Sequence, residues 1–361
     1  MQMPIRRYLI FALLAGHAAS LRGQDPSCLH RTVPLVVQDK NGTPEVGLTA
    51  SDLSGEFRGK PVQILSVTVD DHPRQILILL DASGSMIELG NGKWPLTLRI
   101  IADLLASVRQ QDSISLMIFS GKVDEVIDAA QGREAILKRL RELVPGRKAF
   151  PKGSRYTAIW DAILTATSSP KPLHSGDVIY LVSDGEDNAS RKKHSRVRHT
   201  LLEQGIRIFA LLLSSSPYYG AGDHEAVRGL VSNTGGVSVV VSPKQSSFAA
   251  PEFKLREEEL LGVERTLATQ LNLISRNYQV EIGLPLPADK FRPWKLSPSP
   301  SAGGWRRDAS LSYPSELVPC QPKPDRVEGL AAKLTNSRLV GWSQWVDATL
   351  KSNLTCIENK G

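Results

Sequence analysis

Cysteine is scarce in this sequence: Cys28, Cys320 and Cys356 are the three in 361 residues. None lies in a C-x-x-C pair, which argues against a zinc framework. Catalytic signatures are lacking as well. There is no G-x-S-x-G elbow to present a serine nucleophile, no H-E-x-x-H, no phosphate-binding P-loop and no dinucleotide fingerprint. His174, His194, His199 and His224 are scattered, and none stands where a general base is recognisable. The stretch "DGEDN" at 184–188 has the charge of a calcium loop, but it lacks the glycine and the distant glutamate of an EF-hand. Beyond the first twenty residues no segment is apolar enough to span a bilayer, which needs about 20 residues. These absences point away from an enzyme and away from a transmembrane protein.

What is present begins with the N-terminus. Arg6 and Arg7 precede an apolar stretch from Tyr8 to Ala19, with small residues at Ala18 and Ser20. That is the three-part pattern of a secretory signal peptide. The net charge of +7 would raise the question of nucleic acid in an intracellular protein, and export removes it. The mature chain is expected in the periplasm or the medium. In an oxidising compartment one disulfide is expected. Cys320 and Cys356 both lie in the C-terminal stretch and are the candidate pair.

Residues 29–70 read as short strands with turns at Asp39–Gly42 and Gly59. From Gln75 the pattern changes. Ile76–Leu80 is an unbroken apolar run, as in a strand buried on both faces of a parallel sheet. Helical and strand patterns then alternate to residue 241, which predicts an α/β fold with a doubly wound, mostly parallel sheet. The expected division is 1–20 signal peptide, 24–70 small β module, 71–250 main domain, 251–278 long helix and 279–361 an irregular, β-containing C-terminal tail.

The run Ile76–Leu80 ends at "DASGS", that is Asp81, Ser83 and Ser85 spaced by two. A loop held extended would aim all three side chains one way. In a doubly wound sheet of order 3-2-1-4-5-6, ligands bind at the carboxyl ends of the strands where the order reverses, between the first and fourth. Here those strands end at Asp81 and Asp184, and Thr157 precedes the helix before the fourth strand. Two carboxylates and three hydroxyls make an all-oxygen set. Such a set suits a hard divalent cation, Mg²⁺ first, with Mn²⁺ or Ca²⁺ as alternatives.

At these residues the chain resembles the von Willebrand factor type A domain. "DASGSM", Thr157 and "SDG" match its metal-ion-dependent adhesion site at all five positions, within a resemblance spanning 72–245. The resemblance implies that Ser83, Ser85 and Thr157 ligate metal directly. It also implies that Asp81 and Asp184 act directly or through water, and that a protein partner completes the shell with a Glu or Asp carboxylate. The preceding module, with "VVQDKNGTPEVGLTASDL" and "RGKPVQI", resembles exported bacterial proteins called von Willebrand factor A-related, known from acidobacteria. Residues 321–361 depart from that pattern. The expectation is therefore an exported, non-enzymatic, metal-dependent binding module of adhesion type. A structural envelope scaffold with an idle site and a metal-dependent hydrolase are the rivals.

The basic run "SRKKHSRVRHT" at 190–200 reads as the solvated face of a helix and not as a dock for anions. Neutralising Lys192, Lys193 and Arg196 together is therefore expected to change metal-dependent partner binding by less than about threefold, since exposed charges contribute little. A larger loss with steep salt dependence would assign the run to docking.

Overall fold

The computed structural model describes residues 28–87, 92–143, 156–168, 171–214, 221–242, 253, 255–300 and 309–320. The expected signal peptide, most of the expected C-terminal tail and Cys356 lie outside the described residues. In chain order the strands are β1 (His30–Gln38), β2 (Leu53–Phe57), β3 (Lys60–Asp70), β4 (Gln75–Asp81), β5 (Ser113–Phe119), β6 (Val123–Ile127), β7 (Val178–Ser183), β8 (Arg207–Leu213), β9 (Ser238–Val241), β10 (Asn277–Gly283), β11 (Arg292–Pro293), β12 (Lys295–Pro298), β13 (Ser310–Ser312) and β14 (Glu316–Leu317). The α-helices are α1 (Gly84–Ile87), α2 (Lys93–Ser107), α3 (Gly132–Glu142), α4 (Ile159–Ala166), α5 (His194–Gln204), α6 (Ala221–Asn233) and α7 (Glu257–Ser275).

The main sheet has the order β6-β5-β4-β7-β8-β9. It is parallel except for β6, which runs antiparallel at one edge. Alternation along β4 explains why its sequence is apolar throughout. Ile76, Ile78 and Leu80 enter one core with α2, α3 and α7. Leu77 and Leu79 enter the other with α4, α5 and α6. A strand covered by helices on both faces has no solvent side for polar residues. Chain order reverses between β4 and β7, so their carboxyl ends flank the switch-point crevice.

A second, antiparallel sheet has the order β12-β2-β3-β10-β1-β13. The sequence reading separates 24–70 from 279–361, but strands from both regions hydrogen-bond in this one sheet. Strand β10 lies between β1 and β3, and β13 extends the sheet beside β1. Three N-terminal strands have too little apolar surface to close a core of their own. Val280, Ile282, Trp294 and Leu296 complete the one begun by Val33, Leu35 and Phe57. The helix expected over 251–278 spans Glu257–Ser275, and Asn277 already begins β10. Gln270 of α7 donates to the carbonyls of Ala210 at 3.2 Å and Val237 at 2.6 Å, and accepts the Tyr180 hydroxyl at 2.8 Å. These bonds tie α7 to the main sheet. Among the described residues no helix is long and apolar enough to cross a membrane.

The expected Cys320–Cys356 pair is not formed. Cys320 is bonded to Cys28, with their Cα atoms 5.4 Å apart. The reason is the second sheet. β10 returns to the start of β1, where the Leu284 N–H donates to Leu29 at 2.7 Å, and the Cys320 N–H donates to Ala288 at 2.8 Å just beyond. Sequence position put Cys320 in a separate tail; folding sets it against the N-terminal end of the described chain. Peptide mapping without reduction is expected to recover a Cys28–Cys320 cross-link. Cys28→Ser is expected to lower stability by up to about 5 kcal/mol, because the bond closes a very long loop. A Cys320–Cys356 peptide would overturn the assignment.

Candidate metal centre

Asp81 ends β4 in the core, with no solvent exposure. Its Oδ1 accepts the Ser83 N–H at 2.8 Å, and its Oδ2 accepts the Ser183 hydroxyl at 2.6 Å. The first bond turns the chain sharply, as aspartate side chains do when they capture an N–H two residues on. The Ser83 carbonyl then accepts the Met86 and Ile87 N–H groups at 3.0 and 3.2 Å, opening α1. The extended loop expected for "DASGS" is therefore replaced by a helical turn. The hydroxyls of Ser83 and Ser85 nevertheless lie 3.3 Å apart.

Thr157 is buried, at 2% exposure. Its N–H donates to Asn188 Oδ1 at 2.8 Å, and its carbonyl accepts the Asn188 and Ala189 N–H groups at 3.0 Å each. Ala158 donates its N–H to the Ser120 carbonyl at 2.9 Å. Ser120 follows β5 and Asn188 belongs to the loop after β7, so the Thr157 segment is stretched across the end of β4, which lies between those strands.

The same loop caps α4. Asp187 Oδ1 accepts the Ile159 N–H at 2.8 Å, and Ser190 Oγ accepts those of Trp160 and Asp161 at 3.0 and 3.2 Å. Asp161 answers by accepting the Arg191 and Lys192 N–H groups at 3.1 and 2.9 Å. Each segment thus satisfies backbone donors of the other. Asp187 is therefore a cap for α4 and carries no metal role in this arrangement of bonds.

Asp184 follows β7 and is 2% exposed. Gly185 then turns the chain at φ +83°, and a Cβ there would lie 2.7 Å from His224 Cδ2. That conformation and that space suit glycine alone. His224 Nε2 contacts the Asp184 carbonyl, so this imidazole is already engaged. The Asp184 carboxylate meets Lys93, whose Nζ is 3.1 Å from Oδ2, with the two side chains 4% and 3% exposed. Lys93 is the first residue of α2. Gly92 before it is left-handed, and a Cβ there would run into the Phe253 carbonyl.

Burial pushes the Asp81 carboxyl above its ordinary range, and the charge of Asp184 pushes it further. Two carboxylates share a space with little water, and one ammonium is drawn in to offset them. Isolated charges in such a place are costly, so the cluster favours added positive charge. The five predicted residues all come from segments that converge on the carboxyl ends of β4 and β7. Among the described residues no group of three or more His, Cys, Asp or Glu could hold a metal ion. The donor set is two carboxylates and three hydroxyls, with no sulfur or imidazole. That chemistry fits a hard cation, and the Lys93 ammonium pairs with Asp184. Sequence reasoning missed Lys93, Ser183, Asn188 and Ser190. Ser183 was within reach, since it precedes Asp184 in "SDG"; Lys93 is 91 residues from its partner, and nothing nearby signals the pairing.

The family model described as the von Willebrand factor type A domain matches residues 75–255, half of the chain. No curated protein matches the chain. Among solved structures, the conserved hypothetical protein BatB from Bacteroides thetaiotaomicron is 17% identical with a TM-score of 0.39, over 55% of this chain and 99% of that one. A von Willebrand factor type A protein from Catenulispora acidiphila is 10% identical with a TM-score of 0.39, over 80% of this chain and 74% of that one. Proximal thread matrix protein 1 from the mussel byssus, with a zinc-occupied MIDAS motif, is 16% identical with a TM-score of 0.42, over 60% of this chain. The match spans half of the mussel protein's length.

Ser183 donates to Asp81 and accepts the Gly185 N–H at 2.9 Å. Ser183→Ala is expected to lower stability by about 1–3 kcal/mol, because both partners are buried and lose their bond. Denaturant unfolding reads this directly. An unchanged midpoint would mean that Asp81 does not depend on the hydroxyl.

Proposed function

We propose that this chain, which belongs to the von Willebrand factor type A family, is a metal-dependent protein-binding module whose cation is held by Asp81, Ser83, Ser85, Thr157 and Asp184. The observation that carries the reading is the buried pair Asp81 and Asp184 at the switch point, with an ammonium already attracted to it. A bound divalent cation, Mg²⁺ first and Mn²⁺ or Ca²⁺ next, supplies a coordination position for a carboxylate oxygen of the partner. Asp81 and Asp184 hold the charge, directly or through water. Ser83, Ser85 and Thr157 supply neutral oxygens, which leave the cation electrophilic toward an outside Glu or Asp. The Asp187–Ser190 loop and α4 hold Thr157 in register. The N-terminal segment supports export to the periplasm or the medium, where such a module serves adhesion. The reading is non-enzymatic: His224, the histidine that meets the site, is occupied by the Asp184 carbonyl, and a hydrolase would want a free base there.

A second reading, a structural scaffold with an idle site, is favoured by one observation. The Lys93 ammonium pairs with the Asp184 carboxylate and offsets part of the charge a cation would otherwise meet. Calorimetry with Mg²⁺ and Mn²⁺ separates the two. Wild type is expected to release or absorb heat at millimolar ion, while Asp81→Ala and Asp184→Ala give none; far-UV circular dichroism of each variant checks that the sheet is still formed, because both side chains are buried. Ser83→Ala and Ser85→Ala are expected to weaken binding less, since water can replace one neutral oxygen. No heat and no thermal shift with either ion, with partner present, would leave the scaffold.

A further inference from the structure

Charge in the crevice is unevenly balanced. Asp81 and Asp184 are both buried, and the cation beside them is part of the chain. Lys93 cannot reach the cluster from a flexible surface tether. It opens α2, a helix of 15 residues whose Trp94, Ile100, Ile101 and Leu104 are packed into the core, and the Trp94 indole donates to the Leu143 carbonyl at 2.9 Å. The turn before it is set by Gly92 against Phe253. The lysine stem is buried as well, at 3% exposure. A lysine on a protein surface would keep its ammonium in water; this one is built into the crevice and directed at the Asp184 carboxylate.

We infer that Lys93 is a tethered cation that competes with the divalent ion for Asp184 and sets how tightly that ion is held. The inference rests on the metal-binding reading above. The ammonium in contact with Asp184 is a positive charge placed where a divalent ion would engage the same carboxylate. Like charges a few ångströms apart in a space shielded from water repel strongly. A divalent ion engaging Asp184 therefore has to displace the Lys93 ammonium or accept its repulsion, and both lower its affinity. With the ion absent, the same ammonium offsets Asp184, so the crevice remains folded. The metal-free state is thereby stabilised at the expense of the loaded one.

The test uses the full chain and Mn²⁺ alone, followed by calorimetry and by thermal melting in metal-free buffer. Lys93→Met keeps the length of the stem and removes the charge. Its Mn²⁺ affinity is expected to rise at least about tenfold over wild type, which corresponds to about 1.4 kcal/mol. Its metal-free melting temperature is expected to fall, and Mn²⁺ to raise it further than in wild type. Binding by wild type with equal or weaker binding by Lys93→Met would overturn the inference and leave the metal site standing. Binding by the variant but not by wild type would support competition in its strongest form. If neither binds, the metal-site reading falls and the inference falls with it. If Lys93→Met does not fold in either buffer, Lys93→Gln, which keeps a hydrogen-bond donor, replaces it under the same criteria. Lys138→Met, on the exposed face of α3, is the control for bulk charge. An equal gain there would overturn the inference.

Discussion

Two carboxylates are held out of water at the carboxyl ends of adjacent parallel strands, and the surroundings of Asp81 and Asp184 are arranged to make that tolerable. Asp81 takes one N–H and one hydroxyl. Asp184 takes an ammonium. A buried carboxylate without such partners would be protonated or would disrupt its strand. The same deficit makes added positive charge favourable there, and the Lys93 ammonium supplies it.

The main sheet supplies the position and the loops supply the precision. Strands β4 and β7 are covered on both faces, so their ends are fixed by two cores at once. Thr157 has no strand of its own. It is placed by a backbone clamp to Asn188 and Ala189 and by α4, whose first turn is capped by Asp187 and Ser190. This exchange of caps between a loop and a helix makes one loop after β7 carry both Asp184 and the support for Thr157. A disturbance on either side of the clamp would be felt at the other.

The second sheet gives the chain a different kind of closure. Strands from before and after the main domain alternate in it, with β10 between β1 and β3. The Cys28–Cys320 bond fastens the two ends of the described chain at the margin of that sheet. The main domain is thus an insertion between the halves of a smaller β-structure, and α7 leads from one to the other, with Gln270 hydrogen-bonded to the main sheet on the way.

What the sequence determined by itself was periodic or local. The apolar run Ile76–Leu80 dictates a strand buried on both faces, and the alternation of strand and helix dictates the doubly wound order. Given that order, Asp81 and Asp184 have to share one crevice. These conclusions need only the side-chain pattern and the general rule for such sheets. Tertiary structure alone decided what depends on residues far apart in sequence. The extended path expected for "DASGS" gave way to a helical turn because the Asp81 carboxylate captures the Ser83 N–H. Cys320 went to Cys28 and not to Cys356 because β10 carries the chain back to the start of β1. Lys93 reached Asp184 because α2 packs with its first turn over the switch point. No periodicity records a contact made once between one residue and another, so such pairings appear only when the chain is folded.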